Sequence, residues 1–266
     1  MDLMVSDEIK AGLGTEVLGR VIISYAQTSS TNDIAIDLAA NGMQEGTLVV
    51  AEEQTSGRGR RERRWISPVG TSILASLILR PPIAAHEAHV VTLISAAAVA
   101  QAIRSVTQLP ALIKWPNDVI VNDRKVSGVL TEMRTEAGRV SFLVVGIGVT
   151  VNIPRDRFPA EITEVATSLS AELGRDVSRI ALLQEILRQL EHRYVKLKER
   201  EDDTLIAEWK NLSATIGRQV SISLPRRIVR GHAIDIDEAG ALLIRVNTGQ
   251  VQRITADETI SLRADL

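Results

Sequence analysis

The sequence predicts an α+β protein, with a large domain over residues 1–212 and a small β-domain over residues 213–266. Two observations carry this. Through the first three quarters of the chain, strand-like apolar runs alternate with helical apolar spacing. After Leu212 the texture changes to short alternating runs with turn residues between them, the pattern of a small β-barrel of roughly fifty residues. The bulk numbers agree: 266 residues with a 45% apolar fraction can fill a real core.

In chain order, Ser30 and Asp33 are spaced as a capping box for a helix through Leu38. Thr47–Ala51 and Ser72–Leu79 read as strands. Val90–Val106 reads as a buried helix. Val119–Val121 and Val126–Thr131 flank Asn122–Asp123–Arg124, a hairpin turn. Val140–Val151 is a long apolar strand. Ile180–Arg200 has apolar residues at 183, 186, 187, 190, 194 and 197, which is helical spacing, and Leu205–Leu212 is a shorter helix. The small domain then offers strands at Gln219–Leu224, Ile228–Ile236, Ala241–Val246, Val251–Ile254 and Thr259–Leu262, with Gly240 and Asn247–Thr248–Gly249 as turns.

Composition narrows the function. The net charge is −2, which argues against a general nucleic-acid coat. The chain has no cysteine, so disulfides, thiolate metal sites and a cysteine nucleophile are excluded. The histidines are scattered at 86, 89, 192 and 232, and metal ligands are not readable from them. No basic segment followed by an apolar core opens the chain. The longest apolar run, Val90–Ile103, falls short of the ~20 residues of a membrane helix. The expectation is a cytoplasmic protein without a membrane partner.

Against this near-neutral background stands Gly57–Arg58–Gly59–Arg60–Arg61–Glu62–Arg63–Arg64–Trp65, with five arginines in nine residues. Glycine lets the backbone approach a ligand, and arginine presents a planar fork that suits phosphate or carboxylate. Ordering such a loop costs on the order of 10 kcal/mol, and each charge-assisted hydrogen bond returns roughly 1.5–3 kcal/mol. The loop is therefore expected to be mobile until several bonds form together. A solvated basic loop and an RNA-contacting arm remain open on these residues alone.

Three further groups of residues stand out. In Lys114–Trp115–Pro116–Asn117–Asp118 the last three residues suit a turn. Lys125 opens an apolar strand that contains Gly128, and a glycine inside a strand often marks close approach of another group; Lys125 is a candidate point charge on a phosphate. In Gly146–Asn152, alternation puts Ile147, Val149 and Val151 on one face, and Gly146, Gly148, Thr150 and Asn152 on the other. That bare face suits either a ligand or tight packing of a helix. At the fourth site, Ser29–Asp33, capping alone accounts for the residues, and a helix start can equally hold a polar ligand head.

The order of these motifs resembles the biotin–protein ligases (biotin–[acetyl-CoA-carboxylase] ligases): Ser-Thr-Asn, Gln-x-x-Gly-Arg-Gly-Arg-Arg-x-Arg-x-Trp, Lys-Trp-Pro-Asn-Asp, Lys-x-x-Gly and Gly-x-Gly. The likeness runs from about Ile22 to Leu262. It implies a mixed sheet flanked by helices, related to class II aminoacyl-tRNA synthetases, followed by an SH3-like barrel. It also implies ATP-dependent ligation of biotin, through biotinyl-5′-AMP, to a lysine of a biotin carboxyl carrier protein, with ATP and biotin as substrates and Mg²⁺ alongside.

By position, the resemblance places Ser30, Thr31 and Gln54 on the ureido ring of biotin, with the backbone of Gly57, Arg58 and Gly128 lining its pocket. Arg60 closes over biotin and adenylate, Arg63 reaches the phosphates and Trp65 packs near adenine. Asn117 contacts the nucleotide side, with Mg²⁺ as a candidate mediator. Lys125 bridges the biotin carboxylate and α-phosphate and, with Arg60, is the catalytic candidate. Lys114, Thr150 and Asn152 complete the nucleotide set.

Two positions depart from the family. Many members have glycine at Glu62, where a carboxylate can pair with Arg58 or Arg63. Many have asparagine at Thr150, for which Asn152 is the compensating candidate. Some members carry a helix-turn-helix; the roughly twenty residues before the first strand are too few for one, so a monofunctional ligase without specific DNA binding is expected. Homodimerisation is left open. The rival readings are a lipoate–protein ligase or acyltransferase of the same fold and a non-catalytic RNA-binding module.

Overall fold

A computed structural model of the chain describes residues 4–158 and 162–264; the extreme ends of the two expected domains, 1–3 and 265–266, lie outside the described residues. The large domain is built on a seven-stranded mixed sheet. Its strands are β1 (Ile22–Thr28), β2 (Leu48–Gln54), β3 (Ser72–Leu79), β4 (Leu112–Lys114), β5 (Asp118–Val121), β6 (Arg124–Glu136) and β7 (Arg139–Thr150). Their order is β1-β2-β3-β7-β6-β5-β4. Only β1 and β2 are parallel; every other ladder is antiparallel.

Helices cover both faces of this sheet. Helix α1 (Ser6–Lys10) is followed by α2 (Thr31–Ala40), α3 (His89–Thr107), α4 (Leu169–Leu173), α5 (Arg179–Lys198) and α6 (Asp202–Asn211). On one face, Ala35 and Ala39 of α2 pack on Val49, Ile78, Phe142 and Val144. On the other, α3 packs against α5 and β6 within the large core that also holds Ile73, Leu77, Val145 and Val149. With its short lead-in, the α3 segment Ala85–Thr107 is longer than its apolar stretch predicts, and it is long and apolar enough to cross a membrane. Yet 72% of its most apolar window is buried inside the protein, so its hydrophobicity is spent on the core.

The small domain has five strands: β8 (Gln219–Ser223), β9 (Ile228–Ile236), β10 (Leu242–Val246), β11 (Val251–Ile254) and β12 (Ser261–Ala264). They form an antiparallel sheet in the order β11-β10-β9-β8-β12, and no ladder joins β11 to β12 among the described residues. One apolar core runs through both parts of the chain. Trp115 is the rivet between them: it is 1% exposed, its amide donates to Thr215 Oγ1 at 2.9 Å, and its indole N–H donates to Gly240 O at 3.0 Å.

The elements match the sequence reading closely where periodicity was strong. The hairpin between β5 and β6 turns on Asn122 and Asp123, both with positive φ (49° and 61°), and Arg124 already pairs with Val121. Two residues with φ > 0 are what a type I′ turn requires. The capping box does not form. Ser30 occupies the N-cap of α2, but its side chain makes no cap bond, and the carboxylate of Asp33, which would supply the reciprocal bond, lies 2.6 Å from Arg58.

Candidate functional site

Alternation along β7 creates the site. Phe142 and Val144 lie under α2. The next residues on that face are Gly146, against the first turn of α2, and Gly148, against Trp65, and the side-chain layer of the strand stops there. Neither glycine tolerates a methyl group. A Cβ on Gly146 would lie 2.3 Å from Asn32 Oδ1, and one on Gly148 would lie 2.8 Å from Trp65 Cζ2. The bare face is thus used both ways, for packing at the start of α2 and as the floor of a cavity of about 480 Å³.

All the motifs converge on this cavity. Ser30, Thr31 and Gln54 line one end; Arg58, Arg60, Arg63 and Trp65 come from the arginine loop; Lys114, Asn117, Lys125, Gly128 and Thr150 complete the wall. Two of the expected residues do not line it. Gly57 accepts the Trp65 amide at 2.8 Å and closes the base of the arginine loop. A Cβ there would meet Gln54 Nε2 at 2.9 Å, so its role is close packing. The Asn152 amide is spent on both sides of Val177, donating to its O at 2.9 Å and accepting from its N at 3.0 Å. Both ends of that amide are held at Val177, and Asn152 does not line the cavity wall that Thr150 lines.

Lys125 is pinned through its backbone: its N donates to Val165 O at 2.8 Å and its O accepts from Thr167 N at 2.9 Å. Its Nζ lies 2.6 Å from Asp118 Oδ1 and 5.7 Å from the centroid of the Trp65 ring. A Cβ on Gly128 would come within 3.1 Å of that Nζ, so the glycine is what lets the ammonium reach the wall. Asn117 is buried, donates to Val129 O at 2.7 Å and accepts from Arg60 Nη1 at 3.4 Å. Burial lowers the pKa of Lys114 from its usual value, with Asp118 opposing and Lys125 reinforcing. Burial likewise lowers the pKa of Arg60, and Arg61 and Arg63 add repulsion against the attraction of Asp118 and Asp257. These crowded cations favour an anion at this wall.

The arginine loop is a small hairpin. Gly59 N donates to Arg63 O at 2.7 Å, above the Trp65–Gly57 bond. Three of its guanidinium groups rest on backbone carbonyls of the small domain. Arg60 donates to Ala256 O, and to Thr259 O at 3.4 Å. Arg61 donates to Thr259 O at 3.1 Å and Asp257 O at 2.8 Å. Arg63 donates to Ile260 O at 3.1 Å. The loop thus has partners for its cations within the chain, which its composition does not reveal. Arg61 is a latch between domains, whereas the motif alone marks it as merely basic.

Glu62 pairs with neither Arg58 nor Arg63. Arg58 is taken by Asp33 and Glu132; the hydrogen bond it donates to Asp33, then, against the opposing effect of burial, that to Glu132, raises its pKa above the ordinary arginine range. What distinguishes Glu62 is its backbone: Arg61 and Glu62 both have φ of 56°, a left-handed conformation that costs a side-chain-bearing residue roughly 1–2 kcal/mol. Glycine removes that cost but adds about 0.4–1 kcal/mol of unfolded-chain entropy. Strain relief wins by roughly 0.5 kcal/mol. Glu62→Gly is therefore expected to slow native-state tryptic cleavage within residues 58–64 about twofold; faster cleavage would contradict the strain assignment.

Several residues around the site either lie inside the motifs without an assigned role, as Asn32 and Asp118 do, or lie outside them. Asp118 reads as a turn residue, yet it is the carboxylate at Lys125. Asn32, Ser76 and Glu132 form a polar chain behind Thr31. Ser76 had a usable signal, a polar residue within the apolar run Ile73–Leu79; Glu132 had none, since β6 carries polar residues along much of its length. The carbonyls of Ala256–Ile260 had none, since any residue type supplies them.

The chain matches the Biotin/lipoate A/B protein ligase family over residues 24–152 and the Biotin protein ligase C terminal domain over residues 215–257. It is 39% identical to the Bifunctional ligase/repressor BirA of Bacillus subtilis (strain 168), over 94% of this chain and 77% of that protein. It is 33% identical to the Biotin–[acetyl-CoA-carboxylase] ligase of Mycobacterium tuberculosis, over 96% of this chain and 92% of that one. Among solved structures, biotin protein ligase from Aquifex aeolicus in complex with biotin and ATP superposes with a TM-score of 0.79 at 30% identity, covering 92% of this chain and 100% of that chain. With the family's motifs gathered around one cavity and its C-terminal domain in place, the chain belongs to the biotin protein ligase family.

Proposed function

We propose that this protein is a biotin–[acetyl-CoA-carboxylase] ligase, joining biotin to a lysine of a biotin carboxyl carrier protein at the expense of ATP. The observation that carries the reading is the convergence on one cavity of a polar end, Ser30–Thr31–Gln54, and a cationic wall, Arg60, Arg63, Lys114 and Lys125. The polar end takes the ring of biotin. A carboxylate oxygen of biotin attacks the α-phosphorus of ATP and pyrophosphate leaves, giving biotinyl-5′-AMP. The acceptor lysine's neutral amine then attacks the acyl carbon; AMP leaves, the amide forms and the amine loses a proton. Both steps gather negative charge at the junction of acid and phosphate, where fixed cations act most strongly, and the cavity holds the two anions together.

In this reading residues 1–212 hold the two substrates, and residues 213–266 support the arginine loop through the carbonyls of Ala256–Ile260. Among the described residues there is no group of three acidic or histidine side chains to cage a metal. Asn117 and Asp118 line the cavity wall; Asn117 Oδ1 accepts from Arg60 and Asp118 Oδ1 faces Lys125, so the second carboxylate oxygen of Asp118 is what the pair offers. That set fits Mg²⁺ brought in on the triphosphate, which needs only one or two protein oxygens and supplies neutralisation of phosphate charge. The reading places the protein in the cytoplasm, where ATP and carboxylases are found. Biotin-dependent exchange of pyrophosphate into ATP tests the first step directly, and transfer of lipoate in place of biotin in a competition assay would defeat the assignment.

A further inference from the structure

Two lysines line the cavity, Lys114 and Lys125, and the protein holds them differently. Lys125 Nζ lies 2.6 Å from Asp118 Oδ1. Lys114 is half-buried at the end of β4, and its ammonium has no hydrogen bond and no ion pair among the described residues. Elsewhere, Lys196, Lys198 and Lys210 pair with Glu208, Glu45 and Asp235, and Lys10 is exposed on α1. Among the described residues, Lys114 is therefore the unpartnered amine of the cavity.

The sheet sets its reach. Lys114 stands opposite Asp118 in the β4–β5 ladder, Asp118 opposite Gly128 in the β5–β6 ladder, and Gly128 opposite Gly148 in the β6–β7 ladder. All four line the cavity, so this one cross-strand row runs from its cationic wall to its floor. Residues of one row project on the same face of a sheet. The Lys125 ammonium lies over Gly128, 3.1 Å from where a Cβ there would sit. From β4 to β6 is two strand spacings, roughly 10 Å, and the four-carbon stem of Lys114 covers most of that distance. Its amine thus reaches the neighbourhood of the point that Lys125 marks.

We propose that Lys114 is an internal acceptor: in the absence of a carrier protein, the enzyme biotinylates itself on this residue. This rests on the biotin reading, in which the cavity makes biotinyl-5′-AMP beside Lys125. While the triphosphate is bound, its charge occupies the cationic wall. When pyrophosphate leaves, most of that negative charge leaves with it and Lys114 is released. Its amine, in the neutral form, attacks the acyl carbon. The C–N bond forms, the bond from the acyl carbon to the phosphate oxygen breaks, AMP leaves with the electron pair, and the nitrogen loses one proton to solvent. Lys125 does not compete, because its ammonium is paired with Asp118. The product amide is uncharged and carries the biotinyl group into the cavity. It removes a cation from the wall and blocks the site, so a ligase without an acceptor switches itself off.

The test is incubation of the full chain with biotin, ATP and Mg²⁺ but no carrier protein, followed by intact mass measurement and peptide mapping. The expected result is a single added biotinyl group, located on Lys114. Its rate should be unchanged over about tenfold dilution of the enzyme, as a transfer within one molecule requires. Biotin-dependent pyrophosphate exchange should fall in proportion to the fraction modified. Lys114→Arg keeps a cation that does not deprotonate, and it should carry no adduct at position 114. An unmodified Lys114 in a wild type that performs exchange overturns the proposal. So does labelling that favours the exposed Lys10 and slows on dilution, since that is the signature of adenylate released to solution. If Lys114→Arg fails to fold or to perform exchange, the wild-type map and its dilution series decide alone. Absence of biotin-dependent exchange in the wild type is a separate outcome: it defeats the biotin reading and the internal acceptor with it.

Discussion

Lys125→Ala is expected to lose adenylate formation while keeping its fold. The side chain is 36% exposed, and its segment is held by backbone bonds to Val165 and Thr167 that alanine retains. Its partner Asp118 is 29% exposed, so water can solvate the carboxylate left behind, and the cost to stability is that of a partly exposed pair, about 1 kcal/mol or less. Catalysis is affected far more. In the proposed reaction the ammonium stands beside the reacting oxygens, and Gly128 gives it access to the cavity wall. Removing one fixed donor aimed at developing charge costs ~10²–10³ in rate, and the neighbouring arginines do not substitute because they are bonded elsewhere: Arg60 to Asn117 and the small domain, Arg58 to Asp33 and Glu132. Biotin-dependent pyrophosphate exchange in Lys125→Ala should fall by roughly 10³-fold, with an unchanged circular dichroism spectrum. Exchange within tenfold of wild type would remove Lys125 from the chemistry.

The legibility of this chain follows the range of the interactions. Periodicity is local, so Ser72–Leu79 and Ile228–Ile236 are found at the residues the sequence indicates, and α3 and α5 within a few residues. Short elements without a pattern, such as α1, α4 and β4, leave no such trace. The Gly146–Gly148 face was readable because alternation is strict in a strand; what would fill it was not, since Asn32 and Trp65 arrive from over 80 residues away. Motif order was enough to gather Thr31, Gln54, Arg60 and Lys125, but it misplaced Asn152, whose amide a local loop consumes. It contained Asp118 without giving it a role and did not reach Glu132, and the significance of both lies in which cation each one holds. Glu62 was visible as an exception, and only a φ of 56° explains why glycine suits that position.

Arg60→Gly is expected to turn a retentive active site into a leaking one. Arg60 spans the seam between the cavity wall at Asn117 and the small-domain carbonyls of Ala256 and Thr259. Its guanidinium is therefore placed by bonds that exist independently of any phosphate, and burial makes an arriving anion a favourable neighbour. Losing it removes one or two charge-assisted hydrogen bonds to the adenylate, each worth roughly 1.5–3 kcal/mol, and adds a second glycine beside Gly59 in a hairpin that already contains left-handed residues. A net loss of about 3 kcal/mol corresponds to release of activated biotin about 100-fold faster. Since the anhydride reacts with any neutral amine, the freed species should label lysines of unrelated proteins in the same solution. Arg60→Ala separates the two contributions: it removes the cation without adding backbone freedom and should leak nearly as fast if the guanidinium is what retains the adenylate. Labelling that stays confined to the carrier protein in both variants would show that retention depends on other residues and would take Arg60 out of that role.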